Sequence, residues 1–394
     1  MHVQKTYLGY WYQRTTLHLS EIYDFLKSGK SPLWLDKTKL DGLRDNLQIE
    51  DVDLEIGILE KVVARAKGGI EIKVYEDGLV LLSIKHNEIR EDVKTLTDYY
   101  ESLFSPAIGY IFSLGAPVPK ELANIKTIFP YFVITKDCTK PDIAKLFSSV
   151  SETQYFEITS GDTEIYRGDE YYVINTPAKP SDVEELVGML VFFREFKSQL
   201  HHYLNLHRSI WEKIEQIKER KNIRARKVDD LRVELDNYKK TVELIEGRIN
   251  QMGIYISTRS AIVEKSKIAE KLHDVLEFRY DNLESSLQYI KSLWSMTKQY
   301  LDSTIATLTE INSLSTRNSV DALTVITSVG VIGGILGFLA RTDRPVVTDV
   351  GLLYIGILLA GSFLINRVLR FGFSFFKYKL TGHKLAKLKV GRKI

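Results

Sequence analysis

Between residues 318 and 338 the chain places an amide, a carboxylate and three hydroxyls at helical spacing: Asn318, Asp321, Thr324, Thr327 and Ser328. On a straight helix these fall along or beside one stripe, which Val331, Gly334, Gly337 and Phe338 extend. Oxygen donors repeated in this way can replace part of a cation's hydration shell, and an aspartate at one end attracts the ion. The same residues also have a plainer use. Gly330 with Gly334, and Gly333 with Gly337, are small-xxx-small pairs that let helices approach closely. Threonine and serine hydroxyls inside a helix commonly bond the carbonyl one turn back. Both uses fit the spacing.

Other chemistry-bearing residues are sparse. His201, His202 and His207 are separated by one, five and six positions, so the i, i+4 pair that holds a metal on a helix is missing. Solvated or packing roles are expected for them. The basic run KERKNIRARK (218–227) has no interleaved aromatic residues for base stacking. It is read as the solvated tip of a helical hairpin, and no nucleic-acid partner is expected. Cys138 is alone, which excludes an intramolecular disulfide or a cysteine-rich metal site and fits a reducing compartment. No Gly-rich phosphate loop, nucleophile elbow or paired catalytic carboxylates can be picked out. An enzyme is not expected, and no metal-ligand set can be named.

The elements that would carry these residues fall into two halves. Residues 1–180 hold eight of the nine prolines and mix strand with helix signals. The stretch 69–86 alternates in two runs around Glu76-Asp77-Gly78, a hairpin signature. Further strands are predicted at 7–13, 108–114, 128–135, 153–159 and 170–175, and helices at 19–28, 51–67, 88–104 and 140–149. An α+β (α/β-type) domain with a mixed sheet follows. Ser181, with Glu184 three residues later, forms a capping box that starts a helix directly after Pro180. Heptad spacing then runs from Val228 to Ile256 and from Leu283 to Leu308. Residues 181–320 are therefore predicted as a coiled-coil hairpin and a long stalk helix: about 181–219, about 226–257, and one from about 260 into the hydroxyl-bearing segment.

Two apolar stretches close the chain. Ala322 to Ala340 passes without a charge, and so does Val350 to Asn366. At about 1.5 Å per residue either approaches the hydrocarbon thickness of a bilayer. The expected hairpin has a first transmembrane helix at 321–340, a loop at 341–348 and a second helix at 349–367. A formal net charge of +3 hides a strong asymmetry. Residues 1–180 carry 21 basic and 27 acidic side chains, whereas residues 367–394 carry nine basic and none acidic. The positive-inside rule then puts the basic tail, 368–394, and the N-terminal domain in the cytoplasm of a multi-pass inner-membrane protein. Anionic lipid headgroups are the expected partner of that tail. The first residues, MHVQKTYLGYWYQ, lack the basic-then-apolar pattern of a secretory signal.

This order of elements resembles the CorA family of divalent-cation channels. Leu323-Thr324-Val325-Ile326-Thr327 is similar to the Leu-Thr-x-Ile run that starts the family's pore helix. Asn318 lies near the place of a family asparagine. Gly334-Ile335-Leu336-Gly337-Phe338-Leu339 is similar to the segment that ends in the family's Gly-Met-Asn signature, which this chain lacks. The resemblance implies a homo-oligomer, a pentamer around a central pore in the bilayer. Asn318, Asp321, Thr324, Thr327, Ser328, Val331, Gly334, Gly337 and Phe338 would line that pore, with Arg341 and Asp343 at its outer mouth. It further implies metal ion transport with possible divalent cations. Phe338 and Leu339 offer no oxygen ligands where the signature stands, so a selectivity unlike the magnesium type is expected. The alternative is a membrane-anchored coiled-coil scaffold or sensor that keeps the fold and does not conduct.

Overall fold

The computed structural model describes residues 2–11, 18–57, 59–85, 88–111, 130–218, 223–264 and 267–339, with positions 360, 361, 363, 364, 367, 368, 377 and 378. The chain divides into two compact units, one of Met1–Leu204 with Gly247–Lys291, the other of Asn205–Glu246 with Ser292–Ile394.

The first unit is built on a nine-stranded sheet. Its strands are β1 (His2–Trp11), β2 (Ile49–Glu55), β3 (Lys61–Ala66), β4 (Ile70–Tyr75), β5 (Leu79–Lys85), β6 (Tyr131–Lys136), β7 (Phe156–Ser160), β8 (Thr163–Arg167) and β9 (Tyr171–Asn175). Their order is β2-β3-β4-β5-β1-β6-β9-β8-β7, antiparallel except for the parallel pair β6–β9. β5 is buried at six successive positions, as a central strand covered on both faces must be. β4 at its side alternates buried with half-buried residues.

One face of the sheet packs on five helices: α1 (Leu19–Ser28), α2 (Lys37–Asn46), α3 (Ile89–Tyr99), α4 (Ser105–Ile111) and α5 (Lys140–Ser149). Leu8, Val62, Ala64, Ile72, Val74, Val80 and Leu82 meet Phe25, Leu26, Leu96, Ile108 and Phe147 in one apolar core. Burying such side chains stabilises a fold by roughly 1.5–3 kcal/mol each. The opposite face receives the long helices α6 (Pro180–Lys218) and α7 (Ala225–Val263). Trp11 anchors them there, with its ring 5.4 Å from Phe192 and 5.5 Å from Tyr255. A Cβ on Gly9 would lie 2.4 Å from Cγ2 of Val191, so only glycine lets α6 sit so close to β1.

The second unit contains the remainder of α6 and α7 and most of α8 (Lys267–Leu339). Leu206, Ile210, Ile214, Val228, Leu231, Leu235, Val242, Ile245, Trp294, Leu301 and Leu308 are buried in it, at the spacing of a coiled coil. Lys298 pairs with Glu246 at 2.7 Å and Lys239 with Asp302 at 2.7 Å along its flanks. Two residues after α6, Ile223–Arg224 (β10), pair antiparallel with Lys377–Tyr378 (β11).

Several sequence expectations need correction. Residues 51–67, read as a helix, form β2, β3 and their connection. Val62, Ala64 and Ala66 are buried at period two, which overrides the looser 3.6 spacing of the same stretch. Residues 108–111, read as a strand, end α4, which follows a π-helical turn at Tyr100–Phe104. Ala107, Ile108 and Ile111 all turn inward there.

The transmembrane hairpin is the largest correction. Among the described residues no helix is long and apolar enough to cross a membrane. A span needs about 20 consecutive, predominantly apolar residues. The charge-free run of α8 is described only from Ala322 to Leu339, 18 residues, short of that length. The expected second helix, 349–367, is described only at 360, 361, 363, 364 and 367. The CorA-like transmembrane hairpin and the multi-pass inner-membrane location therefore lose their structural basis.

A candidate ligand site on the charged face of the sheet

Among the described residues the hydroxyls of the expected stripe donate to backbone carbonyls of their own helix. Thr324 donates to the Val320 carbonyl at 2.9 Å, Thr327 to Leu323 at 2.7 Å and Ser328 to Thr324 at 2.7 Å. Each hydroxyl donates one turn back, as helical threonine and serine commonly do, and its oxygen can still accept. Asp321 is exposed, 3.9 Å from Arg317 one turn earlier. Val331 is exposed, and a Cβ on Gly334 or Gly337 would meet nothing within 4 Å. Asn318 and Phe338 lie on α8, with their side chains outside the described residues, as are Arg341 and Asp343. No group of three or more His, Cys, Asp or Glu that could hold a metal ion occurs among the described residues. His207 packs its ring 5.9 Å from Trp211, and burial lowers its pKa.

A different set of residues comes together in the first unit. Successive strands point alternate side chains to one face, so Lys5 and Tyr7 of β1, Lys61 of β3, and Glu71, Lys73 and Tyr75 of β4 share the face that receives α6 and α7. The two helices cover this corner only in part. A cavity of about 560 Å³ remains, walled by those residues with Glu55 and Ile56, the start of α6 (Pro180, Ser181, Glu184, Glu185, Gly188), and Arg259 and Ile262 of α7. Its size lies within the range of small-molecule pockets.

The floor is a continuous chain of ion pairs. Lys5 lies 3.4 Å from Glu71, whose other oxygen takes Lys73 at 2.6 Å. Lys73 also donates to Glu184. The second oxygen of Glu184 accepts from Tyr75 at 3.0 Å and faces Lys61 at 3.4 Å. Lys61 reaches Glu55 at 3.2 Å. Glu184, expected to cap its own helix, thus bridges α6 to two strands. Behind this chain, Arg259 forms a two-pronged, fully buried pair with Asp77, one prong at 2.7 Å. The turn before β5 fixes Asp77. Gly78 takes a φ of 89°, Trp11 Nε1 donates to the Asp77 carbonyl at 2.9 Å, and Asp77 Oδ1 accepts from the Leu79 amide at 3.3 Å.

Burial and neighbours act unequally on this chain. Burial would raise the Glu71 pKa, but Lys73 and Lys5 outweigh it and hold the carboxyl below its usual range. Burial would lower Lys73, but Glu184 and Glu71 prevail and raise it. For Lys5 burial wins: its pKa is lowered despite Glu71. Burial raises the Tyr75 phenol well above its ordinary value, and Glu184 adds to the shift. Lys5 and Lys73 are thus shifted in opposite directions within one chain of pairs.

The sequence reading missed this site. Glu71, Lys73 and Tyr75 alternate with apolar residues like any solvated strand face. Only the return of α6 and α7, more than a hundred residues later, encloses them. The one local hint is on β4, where Glu71 and Lys73 stand two positions apart and so share a face. Neither a protein-family model nor a curated protein matches the chain, so the similarity to CorA rests on residues 318–339 and the order of elements alone.

Proposed function

We propose that the protein is a coiled-coil sensor whose sheet domain binds a small polar ligand in the cavity over Lys5, Lys73 and Glu184. The carrying observation is the cavity itself. It is half-enclosed and lined by groups of both charges, and α6 and α7, which close it, are the same helices that form the coiled-coil unit. A ligand that pairs with Lys5 or Glu184 competes with contacts that hold α6 to the sheet, so occupancy bears on that helix. Cation passage is not carried into this proposal, because it needs a membrane-crossing helix that the described residues lack. The sensor proposed here differs from the membrane-anchored scaffold or sensor drawn from the sequence in that it requires no membrane anchor.

Thermal melting in the presence of defined metabolite mixtures tests the proposal. At least one mixture should raise the melting temperature of the unaltered chain by several degrees, since a ligand at 100 times its Kd adds about 2.7 kcal/mol. The double variant Lys5→Met/Lys61→Met, checked for folding by circular dichroism, should lose that shift. Absence of any shift with the unaltered chain, or full retention in the variant, would overturn the assignment.

A further inference from the structure

The second unit carries an ionisable group that the ligand site does not use. His207 of α6 stands in an aromatic layer that joins α6 to α8. Its ring lies stacked 5.9 Å from Trp211 and edge-on 6.0 Å from Trp294. Trp211 stacks in turn on Tyr300 at 4.6 Å, and the Tyr300 hydroxyl donates to Glu215. These residues all belong to Asn205–Glu246 or Ser292–Ile394. The polar atoms of the layer do not match one another. His207 hydrogen-bonds the Leu293 backbone. The Leu293 amide lies inside α8 and serves that helix, so its carbonyl is the acceptor. Among the described residues His207 Nε2 is buried without a hydrogen-bond partner. Nδ1 is therefore the donor to Leu293, and Nε2 keeps a bare lone pair. Trp294 Nε1 is buried and lacks a partner too, and an indole nitrogen can only donate.

A proton added at Nε2 would create a buried donor with no acceptor, beside an indole N–H that has none either. Such a group is costly to hold out of water. Its charge would also go uncompensated. On α6 the charged neighbour is Arg208, of the same sign, while Glu215 is taken by Tyr300, Lys213 lies over the Tyr238 ring and Glu212 is exposed. Between α7 and α8, Lys239 pairs with Asp302 and Glu246 with Lys298, and Glu243 acts on the same Lys298. Among the described residues no carboxylate bears on the His207 ring. We infer that the seam between α6 and α8 at His207 is an acid-sensitive switch, which holds while the imidazole is neutral and loosens when Nε2 gains a proton. Burial, with Arg208 adding to it, lowers the pKa of the folded ring, in keeping with this geometry. The opened state binds the proton more readily than the closed one. The seam therefore has its full stability above pH about 6.5 and loses it progressively as pH falls below that value.

Hydrogen exchange on the full chain at pH 7.5 and pH 5.5, corrected for the intrinsic pH dependence of exchange, tests the switch. In the unaltered chain the protection of residues 205–214 and 292–301 should fall at the lower pH by up to about tenfold, the limit for one histidine a unit below its free pKa. His207→Gln keeps a donor for the Leu293 carbonyl but cannot titrate, so there the fall should be absent. Every other titrating group is common to both chains and cancels in the comparison. An equal fall in His207→Gln, or no fall in the unaltered chain, would overturn the inference. Where His207→Gln does not fold by circular dichroism, the ring titration of His207 in the unaltered chain, followed by nuclear magnetic resonance, still decides. A midpoint below about 6.5 supports the switch, and one at or above that value overturns it.

Discussion

A buried ion pair and a buried carboxyl in the sheet domain behave in opposite ways, and each makes a prediction. Arg259 and Asp77 are 5% and 3% exposed and satisfy each other through two hydrogen bonds. Removing one partner strands the other charge in the interior, at a cost of about 3–5 kcal/mol. Asp77→Asn should lower the unfolding free energy in urea by roughly that amount, and Asp77→Asn with Arg259→Met should recover part of it. Full additivity of the two losses would show that the pair is not coupled. Glu195 has no such partner at hand. It is 3% exposed on α6, and burial raises its pKa to about 7, against a small opposing effect from Arg194. A carboxyl with a raised native pKa stays protonated in the folded state while the unfolded chain has already lost the proton. Its stabilising contribution is complete below pH about 4.5 and is lost as pH rises to about 7. Glu195→Gln should remove this decline, gaining on the order of 3 kcal/mol over the unaltered chain between pH 4.5 and 8. Urea denaturation at those two pH values measures it, and an unchanged difference would refute the assignment.

At the scale of elements, the seating of α6 on the sheet depends on small residues. Gly9 admits Val191, and Gly188 brings α6 within reach of Leu79 and Arg259. The Cβ of Gly9→Ala would fall 2.4 Å from Val191 and 2.9 Å from Leu81, and a β-branched valine on a helix cannot turn away. Overpacking of this kind costs about 1–3 kcal/mol. Gly9→Ala should show that loss in urea denaturation, and Gly9→Ala with Val191→Ala should lose less than the sum of the single variants. Strict additivity would mean that the two do not touch. The same elements show what a sequence discloses. The hairpin β4–β5 was legible because Ile70, Ile72, Val74 and Val80 alternate around an Asp-Gly turn, a signal contained within twenty residues. The heptads of α7 and α8 were legible for the same reason, since Leu231, Leu235, Leu283 and Leu287 repeat locally. β2 and β3 were misread because Val52, Ile56, Leu59 and Val63 recur at helical spacing, and only the pairing of β3 with β2 and β4 decides against it. The ligand cavity was invisible, since its walls lie as far apart in sequence as Lys5 and Arg259. The apolar end of α8 misled in the other direction: charge-free spacing suggested a span that the described residues do not support.

At the scale of the molecule, the cavity belongs wholly to one compact unit, yet it is lined by helices that continue into the other. Its lining comes from β1, the end of β2, β3, β4, the start of β5, the start of α6 and the end of α7, all within Met1–Leu204 and Gly247–Lys291. α6 is unbroken from Pro180 to Lys218 and α7 from Ala225 to Val263, so each passes through both units. A rigid helix can carry a local change in packing along its length only if it has two arrangements of similar free energy. Hydrogen exchange with and without a metabolite mixture that raises the melting temperature separates a sensor from a passive binder. Occupancy of the cavity should slow exchange in β4, in residues 180–190 and around Arg259. If the protein is a sensor, exchange should also change within Asn205–Glu246, where no residue lines the cavity. The change should vanish in Lys5→Met/Lys61→Met at the same ligand concentration. Effects confined to the lining elements would keep the binding site and refute signalling along the helices. A change in Asn205–Glu246 that persists in the double variant would place its origin outside the cavity.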